Sequence, residues 1–351
     1  MRRRSFLKTV GGTAGLALTG DRAVAIDPAP TAEHAVGGIP RRALGRTGAS
    51  LSVVGFPGLA LIHYDQKQST EGLHAAVDRG ANYFDVAPAY GKGECETKMG
   101  IGLQGIARDR YFLSCKTKKR DKAGARQELE QSLKLLKTDH FDLYQLHHLR
   151  WREEVDQCFG PGGAMETLLE ARKQGLVKYL GFSAHTTKAA LWAMKAFRFD
   201  TVMFPIDFVE LLHFGFGKPV LDLAREQGVS VLAIKAMSFG AWPKDAKRTR
   251  KWWYRSAETP EEVSLAVRFA LGQPNVISII PPSFIDLYEK AIDAAKTSLA
   301  PLTADELKRL DEIAQQSGSI FQHDEKQAGC APDRRRHGLA SPYDEGCGHW
   351  A

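Results

Sequence analysis

The sequence predicts an α/β chain whose body is a (β/α)8 barrel followed by an added C-terminal helix. Three observations predict it. Eight short, mostly apolar runs follow one another between residues 51 and 280, as expected of parallel strands covered on both faces. Helix-patterned segments lie between them, and eight strand–helix units fit a closed barrel. The competing doubly wound sheet needs GxGxxG after its first strand. That motif is missing: Gly91-Lys92-Gly93 is too short and follows the second run.

Taken in order, the strand-like runs are LSVVGF (51–56), NYFDVA (82–87), YFLSCK (111–116), FDLYQLH (141–147), VKYLGFS (177–183), TVMFPI (201–206), VSVLAIK (229–235) and NVISII (275–280). Helices are predicted at 69–80, 124–137, 164–175, 218–228 and 260–272. In 124–137, Leu129, Leu133 and Leu136 recur at helical spacing, with Glu128 and Glu130 on the polar side. Gly80, Gly175 and Gly228 supply C-terminal stops. The added helix is predicted at 301–317, with Thr303 as N-cap and Glu306 three residues on. Residues 238–259 form the longest loop. It carries Lys244, Lys247, Arg248, Arg250, Lys251 and Arg255, interleaved with Trp242, Trp252 and Trp253. It reads either as a solvated surface loop or as a cofactor cover.

Composition bounds the function classes. The chain has 351 residues, 43% apolar and 25% charged, with a net charge of +7. Residues 1–25 hold five Lys/Arg and one Asp, so the remainder has 43 basic and 40 acidic residues, a net of +3. That balance gives no reason to expect nucleic acid as a partner. No stretch approaches the roughly 20 apolar residues of a membrane span, so no stable span is expected. Residues 1–25 are predicted to be a signal peptide. Arg2 to Arg4 are followed by a weakly apolar stretch and by Ala23-Val24-Ala25, a small-x-small cleavage site. Arg3-Arg4-Ser5-Phe6-Leu7-Lys8 resembles a twin-arginine signal. That predicts export to the periplasm or beyond, with the twin-arginine machinery as a partner. Residues 26–39 read as a Pro/Ala/Gly-rich linker, and 318–351, which lack periodicity, as an irregular tail. None of the five cysteines forms a CxxC pair, so no metal site is predicted. Cys330 and Cys347 are either a disulfide or two unpaired tail thiols.

Four polar residues stand at or just past the ends of three consecutive strands: Asp85, Tyr90, Lys116 and His147. Barrel active sites form at those strand ends. A phenol has a pKa near 10, and a neighbouring ammonium lowers it. A buried lysine needs a carboxylate to keep its charge, which Asp85 supplies. An imidazole N–H at His147 can orient a carbonyl and stabilise the developing oxyanion. Tyr90 is then general acid in reduction and general base in oxidation. Hydride must come from a cofactor, because no side chain supplies one.

With these residues in view, the chain resembles the aldo-keto reductase family. FDVAPAYGKGE (84–94), Lys116 and DLYQLHH (142–148) resemble its catalytic segments, RRALGRTGASLSVVGF (41–56) its opening hairpin and first strand, and GLVKYLGFSAH (175–185) its fifth strand. The similarity covers roughly residues 40–317. It implies an N-terminal hairpin before the barrel, a small-molecule carbonyl or alcohol substrate, and NADP or NAD as cofactor. It also implies cofactor contacts at Ser183, Met203, Lys235 and Ser283.

At several of these positions the chain departs from the family. Ala184 stands for an Asn and Met203 for a Gln at the nicotinamide amide. Lys235-Ala236-Met237 occupies the region of a stacking aromatic. Pro282-Ser283 stands for a phosphate-binding Lys-Ser, and Tyr288 for an Arg on the 2′-phosphate. His185 and Asp207 are candidate substitutes. His63, after the first strand, and Trp151, after the fourth, are candidate substrate contacts; His148 is expected to point away from His147. Three functions remain open: an NAD(P)-dependent oxidoreductase, a non-catalytic barrel binding module, and an isomerase or lyase using Tyr90 and Lys116 without hydride transfer.

Overall fold

A computed structural model describes residues 33–36 and 38–328. The predicted signal peptide, Cys330 and Cys347 lie outside the described residues. The described chain opens on a three-stranded antiparallel sheet, β1 (Glu33–Val36), β2 (Ile39–Ala43) and β3 (Ser50–Ser52). β1 falls within the predicted linker, whose end therefore pairs as a strand with β2. β2 and β3 form the expected hairpin, closed by Leu44 N–H donating to Ala49 O at 2.8 Å.

Eight parallel strands follow. They are β4 (Phe56–Pro57), β5 (Tyr83–Asp85), β6 (Phe112–Thr117), β7 (Phe141–Leu149), β8 (Val177–Ala184), β9 (Thr201–Pro205), β10 (Ser230–Ile234) and, after a short hairpin of β11 (Ser238–Ala241) and β12 (Tyr254–Ser256), β13 (Val276–Ile280). The run 51–56 divides, its start serving the hairpin and its end the barrel. Backbone bonds of 2.9 Å between Gly55 N and Ile279 O, and between Ile279 N and Val53 O, join the two edges. The expected (β/α)8 barrel is thus the observed one. The helices are α1 (Gln66–Asp78), α2 (Glu94–Gly102), α3 (Lys122–Leu135), α4 (Arg152–Phe159), α5 (Ala164–Lys173), α6 (Thr187–Ala196), α7 (Lys218–Gln227), α8 (Pro260–Leu271), α9 (Ile285–Thr297), α10 (Ala304–Gln315) and α11 (Gln322–Gln327). Thr303 and Glu306 form the predicted capping box of α10, and Thr259 and Glu262 form another at α8.

The barrel interior is apolar at one end and polar at the other. Tyr83, Phe112, Leu143, Met203, Leu232 and Ile277 fill it, and Leu44 and Leu51 of the hairpin join the same cluster. The hairpin therefore plugs the barrel. Arg42 pins it there, donating to Leu271 O and Val276 O at 2.7 and 2.6 Å. Residues of β5, β6 and β7 beyond this layer face the open end.

Two expectations about loops are corrected. Residues 238–259 are not one loop: β11 and β12 pair, and Trp252, Trp253 and Tyr254 are buried. Arg250 is held by Asp286 and Glu258, and Arg255 by Glu262. The segment 318–328 is not an irregular tail. It carries α11, with Ile320 and Phe321 buried ahead of it; a six-residue helix is too short to show a 3.6-residue period.

Outside the barrel wall, Glu96 on α2 is almost fully buried and accepts from the Cys115 thiol at 3.4 Å. Burial pushes its carboxyl up to about 7 from an ordinary 4.5, against the nearby Ser132 hydroxyl and the Cys115 hydrogen bond, which lower it. The folded state then holds this proton up to a higher pH than the unfolded chain does. Its contribution is complete below pH 4.5 and is lost as pH rises through about 7. Glu96→Gln should therefore flatten the fall in thermal stability between pH 5 and 8, by up to about 3 kcal/mol. Melting curves of both proteins over that range check this; parallel curves would reject it.

Candidate active site

The four predicted residues converge. Lys116 is fully buried. Its Nζ donates to Asp85 Oδ2 at 2.5 Å, to Val86 O at 3.1 Å and to Tyr90 OH at 3.2 Å. Three donors thus meet three acceptors. An ammonium accepts nothing, so the Tyr90 hydroxyl hydrogen has to point elsewhere, and Tyr90 lines the cavity. Burial alone would strip Lys116 of its charge, but Asp85 and Tyr90 outweigh it and raise its pKa. Burial raises the Asp85 carboxyl, while Lys116, Ser114 and Tyr83 hold it down.

His147 stands edge-on to Tyr90, ring centres 5.7 Å apart. Burial, and then the nearby Lys116 charge, hold its imidazole neutral, well below the ordinary 6.5. Nδ1 is buried with no hydrogen-bond partner among the described residues, which leaves Nε2 to meet a ligand. Gly58 leaves room for Asp85: a Cβ there would lie 2.3 Å from Asp85 O.

His148 does not point away, as strand alternation predicts. Its φ of +62° breaks the alternation, and both imidazoles line the cavity. Its backbone N–H donates to Ser183 Oγ at 2.7 Å. Lys235, with φ of +61°, turns inward at the end of β10, its Nζ 4.4 Å from the centre of the Trp253 ring. Non-glycine residues in this region cost of order 1 kcal/mol and cluster at functional sites.

Ser183, Met203, Lys235, Ser283 and His185 also line the cavity. His63 and Trp151 do not. His63 stacks on Phe284, centres 4.8 Å apart, and Trp151 is buried at the start of α4 under Arg150. Asp207 is fully buried and accepts from Glu210 N–H at 3.0 Å, a turn-capping role. Ile320 and Phe321, outside every candidate site read from the sequence, also wall the cavity; two adjacent apolar residues in a polar stretch were the available signal. Among the described residues no group of His, Cys, Asp and Glu could hold a metal ion.

For a nicotinamide group the donor set fits at one end. Ser183 Oγ already accepts from His148, so its own hydrogen remains to donate to a carboxamide oxygen. At the position where the family's arginine is expected, Tyr288 is buried against Phe56, centres 5.1 Å apart.

Residues 58–315 match the Aldo/keto reductase family. Aldo-keto reductase YhdN of Bacillus subtilis is 33% identical over 130 residues, spanning 34% of this chain and 38% of that protein. Methylglyoxal reductase DkgB of Salmonella typhimurium is 29% identical over 213 residues, 60% of this chain and 75% of that protein. The structure is similar to aldo-keto reductase AKR11C1 from Bacillus halodurans, holo form, with a TM-score of 0.65 and 23% identity, covering 82% of this chain and all of the other.

The cavity wall depends on Glu210. Its carboxylate accepts from Ser319 Oγ at 2.8 Å and Ile320 N–H at 2.6 Å. Burial pushes Glu210 up to about 7 while these donors lower it. Glu210→Ala should release residues 319–328 and speed their limited proteolysis roughly tenfold. Mass spectrometry of timed digests reads the cleavage; unchanged rates would refute the tether.

Proposed function

This chain belongs to the aldo/keto reductase family, and on that premise we propose that it interconverts a carbonyl and an alcohol with Tyr90 as general acid and base. One observation carries the reading: the Lys116 ammonium is divided between Asp85 and the Tyr90 oxygen. An ammonium donating to a phenol stabilises the phenolate and brings its acidity nearer neutrality. Tyr90 lines the cavity, and its hydroxyl hydrogen goes to the substrate oxygen in reduction. His147, held neutral by burial, donates an N–H to that oxygen and fixes the carbonyl without giving up a proton. Trp252, Trp253 and Phe321 exclude water on the far side of the cavity.

A bound nicotinamide cofactor supplies the hydride, as in other aldo/keto reductases. Ser183 would hold its carboxamide, with Met203 and Lys235 lining the same cavity and Ser283 on the phosphate side. Tyr288 is buried and Arg250 is held by Asp286 and Glu258, which takes both from a 2′-phosphate, so NADH and NADPH should bind within a few-fold of each other.

Replacement of Asn and Gln by Ala184 and Met203 favours a second reading without hydride transfer, a barrel that serves as a binding module. The name of DkgB points to small dicarbonyls such as methylglyoxal as first substrates to try. Arg3-Arg4 with the 23–25 cleavage site supports export by the twin-arginine route to the periplasm, with the protein folding around its cofactor beforehand.

Three measurements test these statements. Tyr90→Phe should lower carbonyl reduction by at least about 100-fold while nicotinamide binding, read by quenching of Trp252 and Trp253, persists. No quenching by either cofactor in the wild type would reject hydride transfer and leave the second reading. Cofactor titrations of Arg250→Ala should leave the NADPH to NADH ratio unchanged; a fall would restore the phosphate role of the 244–255 segment. Arg3→Lys with Arg4→Lys should retain the protein in the cytoplasm, and normal export of that variant, followed by fractionation, would refute the route.

A further inference from the structure

Behind the Lys116–Asp85 pair lies a buried polar chain that no step above uses. In the sheet register Asp85 is paired with Ser114, and Lys116 with Gln145. Residues paired across parallel strands share a face, and positions two apart on one strand do too. Asp85, Ser114, Lys116, Gln145 and His147 therefore all project into the barrel. Gln145 Nε2 donates to Ser114 Oγ at 2.9 Å. Ser114 Oγ, its acceptor capacity so engaged, donates its hydrogen to Asp85 Oδ1 at 3.2 Å. The other carboxylate oxygen takes the ammonium.

Both residues are fully buried where the neighbouring interior is Leu143, Met203 and Leu232. An apolar pair would pack there without polar groups to satisfy, and Gln145 Oε1 has no partner among the described residues. The fold also makes room for the amide: at Gly181 on β8 a Cβ would come within 3.2 Å of Gln145 Cγ. Stability alone gives no reason to keep this chain of donors.

We propose that Ser114, polarised by Gln145, is a positioning residue that sets the acidity of the Tyr90 phenol by satisfying the Asp85 carboxylate. The proposal rests on the reading of Tyr90 as the acid and base. A carboxylate that loses the Ser114 hydrogen bond becomes a stronger acceptor and pulls harder on the ammonium N–H it already receives, which leaves less positive charge on the Lys116 nitrogen. Lys116 then donates less to Tyr90, and the phenolate is less stabilised. Reducing activity at neutral pH falls because Tyr90 is a weaker acid.

The test reads Tyr90 directly. The protein is labelled with 13Cζ-tyrosine, and the resonance that vanishes in Tyr90→Phe is followed through a pH titration of the full chain, with no cofactor added. Ser114→Ala should raise the Tyr90 midpoint by roughly half a unit or more, a threefold change in acidity. Ser114→Thr, which keeps the hydroxyl, should restore it. The alkaline limb of the pH profile for methylglyoxal reduction should move with it. If Ser114→Ala does not fold, Gln145→Leu decides: a shift in the same direction supports the proposal. An unchanged Tyr90 midpoint in a folded Ser114→Ala or Gln145→Leu protein overturns it. Absence of carbonyl reduction by the wild type would overturn the functional reading instead, and the titration would still answer for Ser114.

Discussion

A buried ammonium is the constraint around which the open end of this barrel is built. Taking a lysine charge out of water costs several kcal/mol unless excellent partners replace the solvent. Lys116 finds them only because β5 and β6 lie side by side in one register, which sets Asp85, Val86 O and the Tyr90 turn around one Nζ. A slip of one residue would turn Lys116 into the helix layer, leaving Asp85 buried and unpaired. Closure of the barrel and charge on Lys116 are therefore coupled.

The same constraint divides the cavity into two halves of different character. On the β5 to β7 side the lining is polar, with Asp85, Tyr90, His147 and His148, and burial keeps the imidazoles neutral there. On the β8 to β13 side the walls are aromatic and apolar, apart from Ser183, His185, Lys235 and Ser283. Two left-handed residues, His148 and Lys235, turn side chains into the cavity that regular strands would direct elsewhere. Their strain is carried by a tightly bonded rim, in which the His148 N–H is fixed on Ser183 and the segment after α10 is anchored on Glu210.

Much of the fold was legible because it rests on local pattern. The strand runs and the helices at 124–137, 164–175 and 260–272 fall within a few residues of those observed, and the capping box at Thr303 and Glu306 lies where the sequence places it. Asp85, Tyr90, Lys116 and His147 were legible as chemistry, since an acid, phenol, amine and imidazole at successive strand ends have little structural use together. His148 was not legible, because alternation assumes regular φ along the strand. Trp252 to Tyr254 were hidden by their basic neighbours, which suggest solvent although Arg250 and Arg255 are spent on ion pairs. His63 and Trp151 were placed by nearness in sequence to strand ends, and packing against Phe284 and Arg150 turned them aside.

By itself the sequence determined the barrel, the order of its units and the four polar groups at its strand ends. These follow from periodicity and side-chain chemistry, which are properties of short segments. The tertiary structure alone decided that Ser114 and Gln145 stand behind Asp85, that His148 turns inward, and that Ile320 and Phe321 wall the cavity. Each of these depends on strand register, a single backbone dihedral or a contact more than a hundred residues away along the chain, such as Glu210 with Ile320. None of them leaves a mark on local sequence pattern.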